Sequence, residues 1–196
     1  MITYTERLDE ALRRAAWAHE KTGQHRKGTD IPYIIHPVGV MIIASNVTDD
    51  EDVLVACLMH DVLEDVEYDL YNKDKMRDEF GERVVAIVSN VTKDETETDW
   101  RKRAELYLKH LEYDASNEAL IVSASDKIHN LFSILVDYST YGNELWDRFT
   151  TKSSADQLWW YESILGVITR RNVPEKLVNQ LTEQVNELKK RLNKSS

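Results

Sequence analysis

Breakers are scarce in this chain: six glycines and three prolines are spread over 196 residues. Inside a helix a glycine costs about 1 kcal/mol and a proline about 3 kcal/mol relative to alanine. A sequence that avoids both, and fills the gaps with Leu, Ala, Glu, Lys and Arg at helical spacing, commits itself to helices. The pattern predicts an all-α fold, a bundle of about eight to ten helices. A first helix is expected from Thr3, with Glu6 as its capping-box partner, running through Leu8, Leu12, Ala15, Ala16 and His19 to a stop at Gly23. Pro37 suits the first turn of a helix over 37–46, with His36 at or before its cap. The acidic run Asp49-Asp50-Glu51-Asp52 opens a third helix, 51–64, as the helix dipole favours. Further helices are expected near 70–79, 82–91, 100–112, 116–138, 154–170 and 174–193, with a polar loop from Lys93 to Asp99. The last starts at Asn172-Val173-Pro174-Glu175 and is amphipathic through Leu177, Leu181, Val185, Leu188 and Leu192. It is expected to pack on the domain surface or at a dimer contact.

The length and a hydrophobic content of 42% allow one domain with a real core over 1–196. Within it the motif-bearing core spans about 19–131 and C-terminal helices about 140–193. No stretch approaches the roughly 20 consecutive apolar residues of a membrane span. The start, Met1 to Arg7, lacks an apolar signal core. The single cysteine, Cys57, sits in an apolar run and is expected to be core filler. Together these features point to a cytoplasmic protein without membrane partners. The formal net charge of −10 repels phosphate backbones, so nucleic acid is not an expected partner. An anionic small molecule would need a local cluster of cations or a metal.

Such a cluster is legible. His60-Asp61 closes an apolar run, where an unpartnered carboxylate is costly to bury. On its own the dipeptide reads as an ordinary helix-end pair. One turn on, Glu64 and Asp65 add acid density, sharing faces with His60 and Asp61 if the helix continues. His36 lies between Ile34-Ile35 and Pro37, a setting in which a lone imidazole is usually a hydrogen-bonded core residue. Asp126 and Asn130 stand one turn apart in another apolar helix, Ile121 to Leu131. Two imidazoles and two carboxylates make a mixed N/O site that suits manganese, iron, zinc or magnesium-like ions. Such an ion lowers the pKa of water and offsets phosphate charge, while Glu64 and Asp65 could orient water or carry protons. The loop His25-Arg26-Lys27-Gly28 is a solvated basic turn in isolation and an anion clamp beside a metal cluster.

Three stretches carry a resemblance. They are Arg26-Lys27-Gly28-Thr29-Asp30-Ile31-Pro32-Tyr33-Ile34-Ile35-His36-Pro37, His60-Asp61-Val62-Leu63-Glu64-Asp65 and Ser125-Asp126-Lys127-Ile128-His129-Asn130-Leu131. They resemble, in order and spacing, the hydrolase domain of the RelA/SpoT family, and most closely its single-domain small alarmone hydrolases. The resemblance implies an HD-domain helical bundle with one Mn2+. It implies removal of the 3′-pyrophosphate of guanosine tetra- or pentaphosphate (ppGpp, pppGpp) to give GDP or GTP and pyrophosphate. Carried over by position, it makes His36, His60, Asp61 and Asp126 the metal ligands. Glu64 and Asp65 become the acidic pair for water activation and proton transfer. Arg26 and Lys27 become the basic pair beside the nucleotide, and Asn130 a nucleotide contact. The family's long enzymes carry a synthetase domain after the hydrolase, and none fits here, so degradation rather than synthesis is expected. Homo-oligomers are consistent with the family.

Departures fall beyond about residue 135. Asp147-Arg148-Phe149 through Asp156-Gln157-Leu158-Trp159-Trp160-Tyr161 does not follow the pattern, and its aromatics read as core or as a pocket wall stacking on a base. Alternatives therefore stay open. One keeps the site for another nucleotide (ppApp, NADPH) or a pyrophosphorylated tRNA, the last disfavoured by the acidic charge. The other is a non-catalytic nucleotide or protein binder, which nothing in the sequence favours. His19, His25, His110 and His129 fall outside the expected ligand set.

Overall fold

The structure is a computed structural model that describes residues 3–93 and 96–194. Met1, Ile2, Ser195 and Ser196, and Asp94 and Glu95 of the expected polar loop, lie outside the described residues. The described residues form α1 (Glu6–Lys21), α2 (Ile35–Ala44), α3 (Glu51–Met59), α4 (Val62–Asp65), α5 (Lys73–Phe80), α6 (Glu82–Val91), α7 (Trp100–Tyr113), α8 (Asn117–Tyr141), α9 (Ser154–Arg170) and α10 (Glu175–Lys194). A 3-10 helix over Gly142–Arg148 joins α8 to α9. Only an isolated bridge between His25 and Pro32 is extended pairing, so the all-α expectation holds among the described residues.

Polar side chains set most helix starts by accepting orphan N–H groups. Asp50, Asn72, Asp99, Ser116 and Ser153 cap α3, α5, α7, α8 and α9. Thr5, not Thr3, caps α1: its Oγ1 accepts from the Leu8 N–H at 3.2 Å and donates to Glu51 Oε1. That second bond ties the start of α1 to the start of α3, a tertiary choice that a local capping box could not reveal. α2 begins two residues before the expected Pro37, so His36 lies inside its first turn. Proline is tolerated there because the first N–H groups of a helix have no partner within it.

The expected helix over 51–64 is broken. α3 stops at Met59, and a single turn, α4, follows. The His60 ring supplies the reason: its Nδ1 bonds the carbonyl oxygen of Cys57 at 2.9 Å. In a continuing helix that carbonyl would accept from the N–H of Asp61. The imidazole takes its place, and the chain turns.

α8 is the axis of the bundle, packing against α2, α3, α6, α9 and α10. By length and a window hydropathy of 1.3 it is apolar enough to cross a membrane, which qualifies the expectation that no stretch approaches a span. In that window 67% is buried inside the protein, and Asp126 and Lys127 lie within the helix, as befits a core helix. Cys57 is fully buried, as expected. α10 spends its apolar face within the chain: Leu177, Leu181, Val185 and Leu188 are buried against α8 and α9, which leaves the same stripe unavailable to a dimer.

Candidate metal centre and its cleft

Three elements bring the predicted polar residues together: the first turn of α2, the α3–α4 break, and the middle of α8. His36, His60 and Asp126 are buried, and one donor atom of each lies within 4.8 Å of the others. His36 Nε2 is 3.2 Å from Asp126 Oδ1, and His60 Nε2 is 3.8 Å from it. Asp61 reaches the group through Oδ2, 3.4 Å from His36 Nε2 and 3.1 Å from His60 Nε2. Its side chain is the most open of the four, at 16% exposure.

Each donor is fixed from behind. The Tyr33 hydroxyl donates to Asp61 Oδ2 at 2.6 Å. Lys127 Nζ, itself buried, bonds Asp126 Oδ2, and Asn130 Nδ2 donates to Asp126 Oδ1. His36 Nδ1 pairs with His129 Nδ1 at 2.9 Å. For His36 to present a lone pair at Nε2, its Nδ1 must carry the hydrogen and donate to His129. Burial, with His36 and Arg26 beside it, pushes His129 down to about 4, which keeps it a neutral acceptor. Gly39 makes room for this ring: a Cβ there would stand 2.1 Å from His129 Cδ2.

The electrostatics are those of an unneutralised donor set. Burial alone would lower His60, but the Asp61 and Asp126 carboxylates outweigh it and raise the imidazole to about 9. Burial would raise Asp126, yet Lys127 and the two histidines hold it well below the carboxylate range. Asp61 is likewise held low by His60 and His36 against burial. His60 Nε2 is buried without a hydrogen-bond partner, although Asp61 lies 3.1 Å away out of line. An orphaned imidazole nitrogen facing two carboxylates and a second imidazole fits a divalent cation. Donors about 2 Å from one ion lie within 3–4 Å of each other. The donor set therefore suits a divalent cation, which His36, His60 and Asp126 could hold, with Asp61 beside them.

A cleft of about 710 Å³ adjoins the cluster. Its lining includes Tyr33, Lys127, His129 and Asn130, the residues that bond Asp61, Asp126 and His36. Six cations line it (Arg26, Lys27, Lys93, Arg103, Lys127 and Arg148) against two acids, Asp65 and Asp137. In a chain of charge −10 this is the local positive region an anion needs. Arg26 donates to Asn130 Oδ1 at 3.0 Å, which couples the basic loop to Asp126 through one amide. Asn130 thus serves the cluster and the cleft together. Lys27 Nζ sits 5.3 Å from the centre of the Phe149 ring, on the cleft wall.

The acidic pair divides. Glu64 accepts from the Lys93 N–H at 2.5 Å and lies 3.8 Å from Lys93 Nζ. Asp65 lines the cleft, and burial with the Asp61 and Glu64 charges pushes it up to about 6. The helix is not continuous, yet Asp61 and Asp65 still stand one turn apart, since the Asp65 N–H bonds the Asp61 carbonyl oxygen at 2.9 Å across the start of α4. In the departing segment 146–161, Trp146, Trp160 and Tyr161 are buried in the core, and Trp160, Tyr161 and Phe149 also present surface to the cleft. Tyr33, Lys93, Arg103, Lys127, His129 and Arg148 also line the cleft or bond the cluster, and none is among the expected site residues. Tyr33, Lys127 and His129 stand inside the quoted stretches. Lys93, Arg103 and Arg148 carry no local signal.

The HD domain family matches residues 11–149. The chain is 33% identical over 145 residues to the guanosine-3′,5′-bis(diphosphate) 3′-pyrophosphohydrolase of Drosophila melanogaster, covering 71% of this chain and 76% of that protein. It is 31% identical over 134 residues to the enzyme of the same name from Aquifex aeolicus, covering 68% of this chain but 19% of that protein. The chain thus spans less than a fifth of the bacterial relatives it matches first. A solved structure of a metazoan ortholog of SpoT that hydrolyses ppGpp superposes with a TM-score of 0.78 over 95% of this chain and 98% of that one, at 24% identity, a likeness of fold.

Proposed function

This chain belongs to the HD domain family, and from that premise we propose that it is a metal-dependent phosphohydrolase. Its substrate in this reading is guanosine tetra- or pentaphosphate (ppGpp, pppGpp), cleaved at the 3′-pyrophosphate to GDP or GTP and pyrophosphate. The observation that carries the reading is the coupling of a buried two-histidine, two-carboxylate group to a cation-lined cleft through shared residues, Asn130 and Lys127 above all. The activity named for the Drosophila relative supports it, since this chain covers 76% of that protein.

His36, His60, Asp61 and Asp126 would hold one Mn2+, which when bound would offset phosphate charge and acidify water. The remaining work falls to the chain. Arg26 and Lys27 clamp the nucleotide's phosphates at the cleft mouth, and Asn130 orients both nucleotide and Asp126. Water adds across the bond between the 3′-oxygen and phosphorus, so one proton must leave the water and one must reach the departing oxygen. Asp65, poised near 6, suits either transfer. Glu64, fixed by the Lys93 N–H, orients the water. A cytoplasmic setting accords with this substrate. The aromatic wall of Trp100, Phe149, Trp160 and Tyr161 keeps a second substrate in view, another nucleotide whose base or nicotinamide stacks there.

Incubation of the purified protein with Mn2+ and, separately, ppGpp, ppApp and NADPH, with products resolved by ion-exchange chromatography, tests both. GDP and pyrophosphate from ppGpp are expected. Faster release of phosphate from NADPH, or turnover of ppApp alone, would replace the guanine substrate and keep the chemistry.

A further inference from the structure

A smaller pocket of about 240 Å³ opens between α6 and α7. Its lining includes Ser89, Thr92, Lys93, Arg103, Tyr107 and His110, and among the described lining residues there is no carboxylate. Lys93 and Arg103 line the cleft as well, so the two cavities meet at these cations. Pockets that take a whole drug-sized molecule begin at roughly 300 Å³, so this one suits a smaller group.

The two cations are held without being neutralised in the usual way. The sequence carries 35 acids against 25 lysines and arginines, so an arginine ordinarily finds a carboxylate. Arg7, Arg14, Arg83 and Arg170 each do. Among the described residues Arg103 has no carboxylate within 4.0 Å, and its guanidinium reaches the Glu97 carbonyl oxygen at 3.4 Å. Lys93 is fixed through its backbone, whose N–H bonds Glu64 Oε1 at 2.5 Å. Its ammonium lies 3.8 Å from Glu64 Oε2, beyond hydrogen-bond reach, and 5.4 Å from the centre of the Tyr107 ring. Lys127 Nζ lies 5.5 Å from the same ring and bonds Asp126 Oδ2. The smaller pocket thus begins one aromatic ring away from the donor set.

The proposed reaction asks for such a place. Water attacks the phosphorus bonded to the 3′-oxygen, and that phosphorus departs still joined to a second phosphate. Arg26, Lys27 and Asn130 serve the nucleotide at the cleft, so the terminal phosphate needs a countercharge of its own beside the cluster. We infer that Lys93 and Arg103 hold this terminal phosphate in the smaller pocket and keep it there in pyrophosphate after cleavage. The inference rests on the reading of the chain as a 3′-pyrophosphohydrolase and makes it more specific. A phosphate monoester, such as that of NADPH, has no second phosphate to place there, so the pair selects a diphosphate.

The test uses the whole chain and two inorganic anions, and needs no turnover. Pyrophosphate and orthophosphate are titrated calorimetrically into the protein, each at the same saturating Mg2+. The wild type should bind pyrophosphate about tenfold or more tightly than orthophosphate. Lys93→Met keeps the backbone N–H that Glu64 accepts, and Arg103→Met removes a side chain that is only partly buried. Each should weaken pyrophosphate about tenfold while orthophosphate stays within about twofold. Lys93→Arg, which restores the charge, should recover most of the pyrophosphate affinity. Equal affinity of the wild type for the two anions, unchanged pyrophosphate binding in the methionine variants, or losses shared equally by both anions would each overturn the inference. If the wild type cleaves no guanosine 3′-diphosphate, the substrate reading falls by itself, and the titration still decides whether this pocket selects a diphosphate.

Discussion

The two ends of the site are built by opposite means. At the inner end, His36 and Asp126 sit on α2 and α8 and His60 at the α3–α4 break; all three are nine-tenths or more buried, and each is bonded from behind by a side chain or a carbonyl. At the mouth, Arg26, Lys27 and Arg148 come from a loop and a 3-10 helix and are held by single hydrogen bonds, an ion pair and ring contacts; Lys27 is exposed and the two arginines are part-buried. Buried charges must be paired or they unfold the protein, so the inner end is fixed by stability as much as by chemistry. Exposed charges cost little, so the mouth is free to vary with the ligand. The contrast teaches where to expect a generic reaction and where to expect a particular substrate.

The largest effect should come from breaking the inner end. Asp126→Ala strands the buried ammonium of Lys127, which lies 4% exposed. A lost partner of a buried ion pair costs about 3–5 kcal/mol. Denaturant unfolding should show that loss, and metal analysis should find no bound ion and no turnover. Adding Lys127→Met should restore much of the stability and none of the activity. If Asp126→Ala alone is as stable as the wild type, the inner end is not held by its ion pair and the contrast drawn here collapses.

Next in size is the acidic pair. Glu64→Ala removes the acceptor of the Lys93 N–H but none of the four donors, so metal content should be kept while kcat falls by about 10²- to 10⁴-fold. Full activity in this variant would remove Glu64 from the mechanism. Metal removal places the two ends on one scale. A ligand that binds only the folded state at a hundred times its Kd adds about 2.7 kcal/mol, so Mn2+ should raise the unfolding midpoint and a chelator reverse it. Charge reversal at the mouth should leave that increment alone.

These expectations follow how much was legible in the sequence. His60-Asp61, His36 and Asp126 could be read because polar groups inside apolar runs demand partners, and the structure brings all four together. The break after Met59 could not, because it depends on an imidazole capturing the Cys57 carbonyl, an event invisible to periodicity. Lys127 and His129 carry no such signal, since a lysine or histidine in a helix usually faces water. Here α8 runs through the centre of the bundle, and both turn to the cluster. Arg148 had no signal at all, since its place depends on how the 3-10 helix folds back on the loop of Arg26.

At the mouth, Arg26→Glu should raise KM by tenfold or more, as a paired guanidinium contact to phosphate contributes about 1.5–3 kcal/mol. It also loses the bond to Asn130 Oδ1, so a small fall in kcat should accompany it. An unchanged KM would take the basic pair out of the substrate's path and leave the cleft's positive charge to Lys93 and Arg103.

The smallest and most diagnostic change is Gly28→Ala. Gly28 has φ +72°, and an added Cβ would stand 2.6 Å from Cδ and 2.7 Å from Nε of Arg148. Alanine in that backbone region costs about 1 kcal/mol. The larger consequence is local. Arg148 lies 4.1 Å over Tyr141 and donates to Asp137 at 3.0 Å, so pushing its stem aside breaks both contacts and moves one of the cleft's cations. KM should rise a few-fold, kcat and metal content should hold, and the unfolding midpoint should fall by a few degrees. Arg148→Gln should reproduce the KM change with a smaller stability loss, because it removes the same charge and contacts but leaves the glycine unstrained. If Gly28→Ala lowers kcat and KM holds, the mouth is mechanically coupled to the metal end through Arg26 and Asn130, and the two regions cannot be treated as independent parts.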